Sequence, residues 1–151
     1  MPAWIQYHEH FPTSLARDLA GMVIGDSEGA GTFRHIYSHA HDKDLIVKIE
    51  NGYRSFHNVT EWEVWKSIKS TDLAKWFAPC VEISGNGIVL IMKRAKPIPR
   101  AKLPARVPAF FTDLKAENWG WYKGHPVCVD YGLHLLHENG MTKRMRKANW
   151  T

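Results

Sequence analysis

The order of elements along this 151-residue chain predicts an α+β fold, with a five-stranded antiparallel sheet packed by one main helix and a much smaller second substructure. Three observations lead there. Three strands, a helix and two further strands can be read in that order between residues 22 and 93. A proline-rich stretch follows. Beyond it lies a short hairpin instead of another set of long helices.

Each element has a local reason. Thr13 and Ser14 open a short helix that Gly21 closes. Met22–Ile24 and Phe33–Ser38 read as strands flanking a glycine-rich loop, and Asp44–Glu50 as a third after the turn-prone His41-Asp42-Lys43. Asn58–Ile68 is predicted helical, with Val59, Trp62, Trp65 and Ile68 recurring every three residues along one stripe. Thr71–Phe77 adds a helical turn or two. Pro79–Ser84 and Gly87–Lys93 are strands joined through Gly85-Asn86-Gly87, whose Asn-Gly step favours a tight turn. Pro97, Pro99, Pro104 and Pro108 remove the backbone donors a long helix needs, so Lys93–Pro108 reads as an extended linker. Trp119–Lys123 and Pro126–Asp130 pair across Gly124. Leu133–Met145 is expected to close the chain with a short helix before a basic tail. The chain is one domain, divided into 22–93, 94–108 and 109–151.

Composition narrows the function classes. Hydrophobic residues at 44% and charged residues at 23% are those of an ordinary globular protein. The longest apolar stretch, Gly87–Met92, is too short to span a bilayer, and the start lacks a secretory pattern, so a cytoplasmic protein without a membrane role is expected. Seven tryptophans call for an aromatic core or an aromatic binding surface. Cys80 and Cys128 share no close-spaced motif and read as buried free thiols. The net charge of +5 sits largely in Lys93–Arg106 and in Lys143–Lys147. Neither stretch interleaves aromatic and basic residues, so a solvated face or flexible tail is expected in preference to nucleic-acid binding. The pairs His8/His10 and His39/His41, and His134/His137, read as turn or helix neighbours and not as metal ligands.

Four segments carry chemistry. Leu45-Ile46-Val47-Lys48 is an apolar strand ending in a lysine, which is costly to bury unless an anion engages it. Glu61 and Glu63, two apart and on different helix faces, are the candidates to hold it, and Glu61 is preferred because it lies beside Trp62 in the opening turn. Each could instead cap the helix. Gly29-Ala30-Gly31-Thr32-Phe33-Arg34 is a glycine-rich turn whose amides could approach phosphate oxygens. Asp113-Leu114-Lys115-Ala116-Glu117-Asn118 and Asp130-Tyr131-Gly132 follow in order.

Together these segments resemble the protein-kinase-like family, over Met22 to Gly132. The resemblance implies a kinase-like first lobe and a C-lobe reduced to a catalytic loop and hairpin. It is similar to the miniature kinase-like proteins of tailed phages. It assigns Lys48 and Glu61, with Gly29 and Gly31, to the nucleotide phosphates, and the backbone from Met92 to Ala95 to adenine. Asp113 would orient the acceptor hydroxyl, Lys115 would steady the transferred group, and Asn118 and Asp130 would hold Mg2+. ATP and Mg2+ are the implied cofactors, and a phosphotransferase acting on an unidentified protein hydroxyl is the implied activity. The alternative is a kinase-derived pseudokinase or binding module that modulates a partner. The chain also departs from the pattern. Arg34 replaces the third glycine of the loop, Phe111-Thr112 replaces His-Arg, and Ile46 narrows the adenine slot. No Ala-Pro-Glu element or peptide-docking helix follows Gly132. The surface left by the missing C-lobe is expected to meet a partner or a second copy of the chain.

Overall fold

A computed structural model describes residues 13–52, 55–132, 140 and 142–151. The predicted helix over Leu133–Met145 and the pairs His8/His10 and His134/His137 fall wholly or largely outside these residues. No described helix is long and apolar enough to cross a membrane.

The architecture is α+β. After α1 (Thr13–Gly21), strands β1 (Ile24–Ala30), β2 (Arg34–His39) and β3 (Leu45–Glu50) form a meander. Helix α2 (His57–Ile68) and a 3-10 turn (Asp72–Trp76) then lead into β4 (Cys80–Ile83) and β5 (Val89–Lys93). The sheet runs β1-β2-β3-β5-β4, antiparallel throughout. Strand β5 pairs with β3 on one side and, through a tight turn at Ser84–Val89, with β4 on the other. Ser84 N–H donates to Val89 O at 2.9 Å, and Gly87 adopts φ +77°, which glycine tolerates without a Cβ penalty. One boundary differs from expectation. The first strand begins at Ile24 and runs through Gly29 and Ala30, so the glycine-rich turn shrinks to Gly31–Phe33.

The stripe expected on α2 is also displaced. Asn58, Thr60, Glu61, Val64 and Ile68 are the buried residues, while Val59, Trp62 and Trp65 are half-buried. Apolar periodicity misplaces this helix because its most deeply buried positions near the N-terminus are polar. Their partners lie on the sheet. Glu50 on β3 accepts from Asn58 N–H at 3.1 Å, setting a carboxylate against the helix N-terminus where the backbone dipole favours it. Asn58 in turn donates to Lys48 O and Ile88 O.

The second substructure hangs from β5 by Arg94, Ala95 and Lys96. It consists of short 3-10 turns at Arg100–Lys102 and Ala116–Asn118, β6 (Arg106–Pro108), the hairpin β7 (Trp119–Tyr122) and β8 (His125–Cys128), and β9 (Met145–Lys147). The C-terminal stretch is not a free basic tail. Strand β9 pairs with β6 in the register Arg106↔Lys147, Val107↔Arg146 and Pro108↔Met145. Thr151 N–H then donates to Leu114 O, and Ala116 N–H to Thr151 O. Backbone pairing across β6 and the Leu114–Ala116 segment holds this end of the chain, which charge alone would leave in solvent.

Both substructures share one core. Phe77 is fully buried and packs against Phe110, Phe111 and Tyr131, and Trp119 lies edge-on to Phe111 and Trp150. Much of the aromatic content therefore serves packing, which accounts for a large share of the hydrophobic stabilisation. Backbone approach at the junction is close. A Cβ on Gly120 would stand 2.7 Å from Ala95 Cβ and 2.9 Å from Lys96 O. Gly120→Ala is expected to destabilise the fold by about 1–3 kcal/mol, read as a lowered urea midpoint; an unchanged midpoint would contradict this contact.

Candidate functional site

Alternation along β3 turns Lys48 toward α2, on the same face as Arg34 and Glu50, since Arg34 lies directly across the ladder from Glu50 and Ile36 across from Lys48. Lys48 is 3% exposed. Its ammonium contacts both Glu61 oxygens, at 3.2 and 3.0 Å, and Val129 O. Three acceptors match the three donors an ammonium carries. The choice between the two glutamates is thereby resolved. Glu63 is exposed and, among the described residues, pairs with Lys66, one turn along the same helix, at 2.9 Å.

Glu61 is completely buried and gathers five donors. Besides Lys48, both terminal nitrogens of Arg34 reach it at 2.8 and 2.9 Å, and Tyr131 N–H donates to Oε1 at 3.0 Å. Burial alone would raise its pKa, but the charges of Arg34 and Lys48 outweigh burial and hold it at about 2. Burial pushes the Lys48 ammonium below its ordinary value, with Glu61 opposing that shift. For Arg34 burial also disfavours charge, and Glu61 more than reverses it, so the guanidinium is more firmly protonated than usual.

Arg34 is the functional residue that sequence reasoning placed wrongly. As a replacement for the third glycine it was expected either to stiffen the loop or to add a charge that could touch phosphate. The side chain instead turns inward, 7% exposed, and its remaining terminal N–H groups go to Asn58 Oδ1 at 3.2 Å and Asp130 Oδ1 at 2.9 Å. An arginine in a glycine-rich turn is the one signal that could have marked it. Tyr131, standing where the kinase pattern has phenylalanine, gains two partners through its hydroxyl. It donates to Ala78 O at 2.7 Å and meets Cys80 Sγ at 3.2 Å. The two thiols are free and buried as expected. Burial pushes Cys80 up to about 12 and raises Cys128 as well.

Arg34 and Lys48 form the back wall of a cleft of about 300 Å³. Gly31, Thr32 and Phe33 form one edge, Ile36, Ile46 and Val129 give apolar walls, and Glu117, Asn118 and Asp130 lie opposite. His57 closes one side, stacked on Phe33 at 5.1 Å, with Gly132 so near that a Cβ there would sit 2.9 Å from the imidazole. Burial and the Arg34 charge lower the His57 pKa, so the ring is neutral at pH 7.

Of the residues the sequence singled out, Gly31, Lys48, Asn118 and Asp130 line this cleft, and Glu61 lies buried behind Lys48. Asn118 and Asp130 are adjacent because Val129 N–H donates to Asn118 O at 2.8 Å. Gly29 is exposed on β1, outside the lining. Met92 is fully buried in the sheet between Ile46 and Cys80. At the junction the amides of Lys93, Arg94 and Lys96 donate to Pro79 O, Asp44 O and Trp121 O, whereas Ala95 N–H has no partner among the described residues. Asp113 and Lys115 lie outside the lining, 3.9 Å apart. No group of three His, Cys, Asp or Glu residues able to hold a metal ion occurs among the described residues.

Removing the Glu61 charge leaves two buried cations without their shared anion, so Glu61→Gln is expected to cost about 3–5 kcal/mol in urea unfolding. A loss below about 1 kcal/mol would contradict the network. The depressed pKa also fixes a pH dependence. The stability Glu61 contributes is complete above its unfolded value, the ordinary 4.5, and is lost as pH falls from there toward about 2. Between those limits the unfolding free energy of the native protein should fall more steeply with pH than that of Glu61→Gln; equal slopes would exclude this assignment.

No protein-family model and no curated protein sequence matches the chain. Among solved structures it is similar to the streptomycin-ATP-APH(2")-IIa ternary complex, over 59% of this chain at 15% identity with a TM-score of 0.44. The chain spans 30% of the length of that protein.

Proposed function

We propose that the protein is a kinase-like, nucleotide-binding phosphotransferase. One observation supports this above the others: Lys48, Asn118 and Asp130, separated by up to 82 positions, face one cleft, with Glu61 buried behind Lys48. Apolar walls from Ile36, Ile46 and Val129 suit a nucleobase, and the amide of Ala95, without a partner among the described residues, lies in the Met92–Ala95 backbone the resemblance assigns to adenine. The turn at Gly31–Phe33 would cover the phosphates. Asp113, on the Phe111–Leu114 segment, would orient the acceptor hydroxyl and take its proton, and Lys115 would steady the transferred group. Phosphoryl transfer asks mainly for such positioning and charge stabilisation. Arg146 braces the segment by donating to Phe111 O, and Thr151 pairs across Leu114 and Ala116, so the C-terminal strand supports a loop that long helices support in larger kinases.

The resemblance assigns Mg2+ to Asn118 and Asp130. With Oδ1 of Asp130 held by the Arg34 guanidinium, a divalent cation would have only Oδ2 and Asn118 and would stand beside a fixed positive charge, a poor fit, and the chemistry proposed here is that of side chains alone. A second reading follows from the same contact. A non-catalytic nucleotide-binding module, or pseudokinase, that acts on a protein partner is favoured by Arg34 engaging Asp130 and by Asp113 lying outside the cleft lining.

Transfer of label from γ-labelled ATP separates the two. Asp113→Ala should reduce labelling by about 100-fold or more while changing ATP affinity little. Undiminished labelling would refute the catalytic role, and absence of labelling in the native protein alongside ATP binding would favour the module. Binding itself should raise the melting temperature with the logarithm of ligand excess.

A further inference from the structure

Arg34 stands where the glycine pattern would leave backbone alone. Both terminal nitrogens chelate Glu61, the second also reaches Asp130 Oδ1, and the first also donates to Asn58 Oδ1. The plane of the guanidinium is therefore fixed on three sides. It cannot swing into solvent without breaking a buried bidentate pair, and it cannot give up its charge.

A charge count shows what this does to the cleft. Lys48, Glu61 and Asp130 alone sum to −1, a set that repels a polyphosphate until a divalent cation binds. Adding Arg34 brings the sum of these four groups to zero without any ion, with the Glu117 carboxylate on the opposite wall outside this count. A divalent cation at Asp130 would then meet a carboxylate already neutralised, with a fixed positive group in hydrogen-bond contact with it. Like charges at that range in a partly desolvated site repel strongly. Only Oδ2 of Asp130, on a side chain 45% exposed, is left to a cation, and a cation bound there would sit beside the fixed charge of Arg34.

We propose that Arg34 takes the place of a divalent cation at Asp130, so that the native cleft excludes a metal from that carboxylate and receives a polyphosphate nucleotide without one. The second half rests on the nucleotide reading above; the first does not. A glycine or a neutral side chain at position 34 would restore the need for a cation and the means to hold it.

The test uses the full chain and two probes. Binding of Mn2+ alone, followed by the signal of the free ion, should be weak in the native protein and about tenfold or more tighter in Arg34→Met. Equal affinities would overturn the inference. Asp130→Asn leaves the Arg34–Glu61 pair in place and so guards against a misfolded Arg34→Met. It should leave the weak native Mn2+ affinity unchanged, and loss of a measurable native site in this variant would also overturn it. The second probe is ATP in thermal shift, with EDTA or with Mg2+. The native shift should be the same in both, whereas Arg34→Met should respond only with Mg2+; a native shift that requires Mg2+ refutes metal-free binding. If ATP produces no shift under any condition, the nucleotide reading fails, and the Mn2+ comparison alone decides whether Arg34 replaces the cation.

Discussion

A single carboxylate, that of Glu61, is the constraint around which the rest is arranged. Fully buried, it stays ionised only because an ammonium, a guanidinium and a backbone N–H converge on it. Each donor comes from a different part of the chain: Lys48 from β3, Arg34 from β2, Tyr131 from the segment after β8. The group thus ties sheet, helix and second substructure together at one point. A charge left without these partners in that place would be prohibitive. Buried ion pairs are not strong sources of net stability, but they penalise every arrangement in which a partner is missing. Here that penalty favours one register between α2 and the sheet and one position for the Val129–Tyr131 segment.

The remainder of the fold accommodates this centre. Glu50 meets the amide of Asn58 at the start of α2, and Asn58 bridges Lys48 O and Ile88 O, so the helix N-terminus is held by polar contacts where an apolar stripe would be usual. Aromatic packing takes over further from the cleft. Phe77, Phe110, Phe111 and Trp119 fill the space between the sheet and the hairpin, and Trp150 closes it from the chain end. The second substructure is ordered in part because β9 and Thr151 supply backbone partners to β6 and to the Leu114–Ala116 segment.

Much of the frame was legible beforehand. The five strands, their order around α2 and the β7–β8 hairpin follow from alternation, turn residues and prolines, all local signals. Lys48 with a glutamate partner was legible too, since a lysine ending an apolar strand demands an anion. Two features were not. The stripe on α2 was misplaced because hydrophobic periodicity assumes that deep positions are apolar, while Asn58 and Glu61 are deep and polar. The basic segment at Lys143–Lys147 looked like a solvated tail because its pairing with Arg106–Pro108 is a backbone matter, to which side-chain charge gives no clue.

By itself, then, the amino-acid order determined which stretches become strands, helices and turns, and which residue types are available for chemistry, because those depend on neighbours a few positions apart. The tertiary structure alone decided what each charged group faces. Arg34 and Asp130 are 96 positions apart, and nothing local distinguishes an arginine aimed at a ligand from one held by two carboxylates. Electrostatic partnership is set by distances of 3 to 4 Å in space, and those distances exist only once the sheet, helix and hairpin have closed on one another.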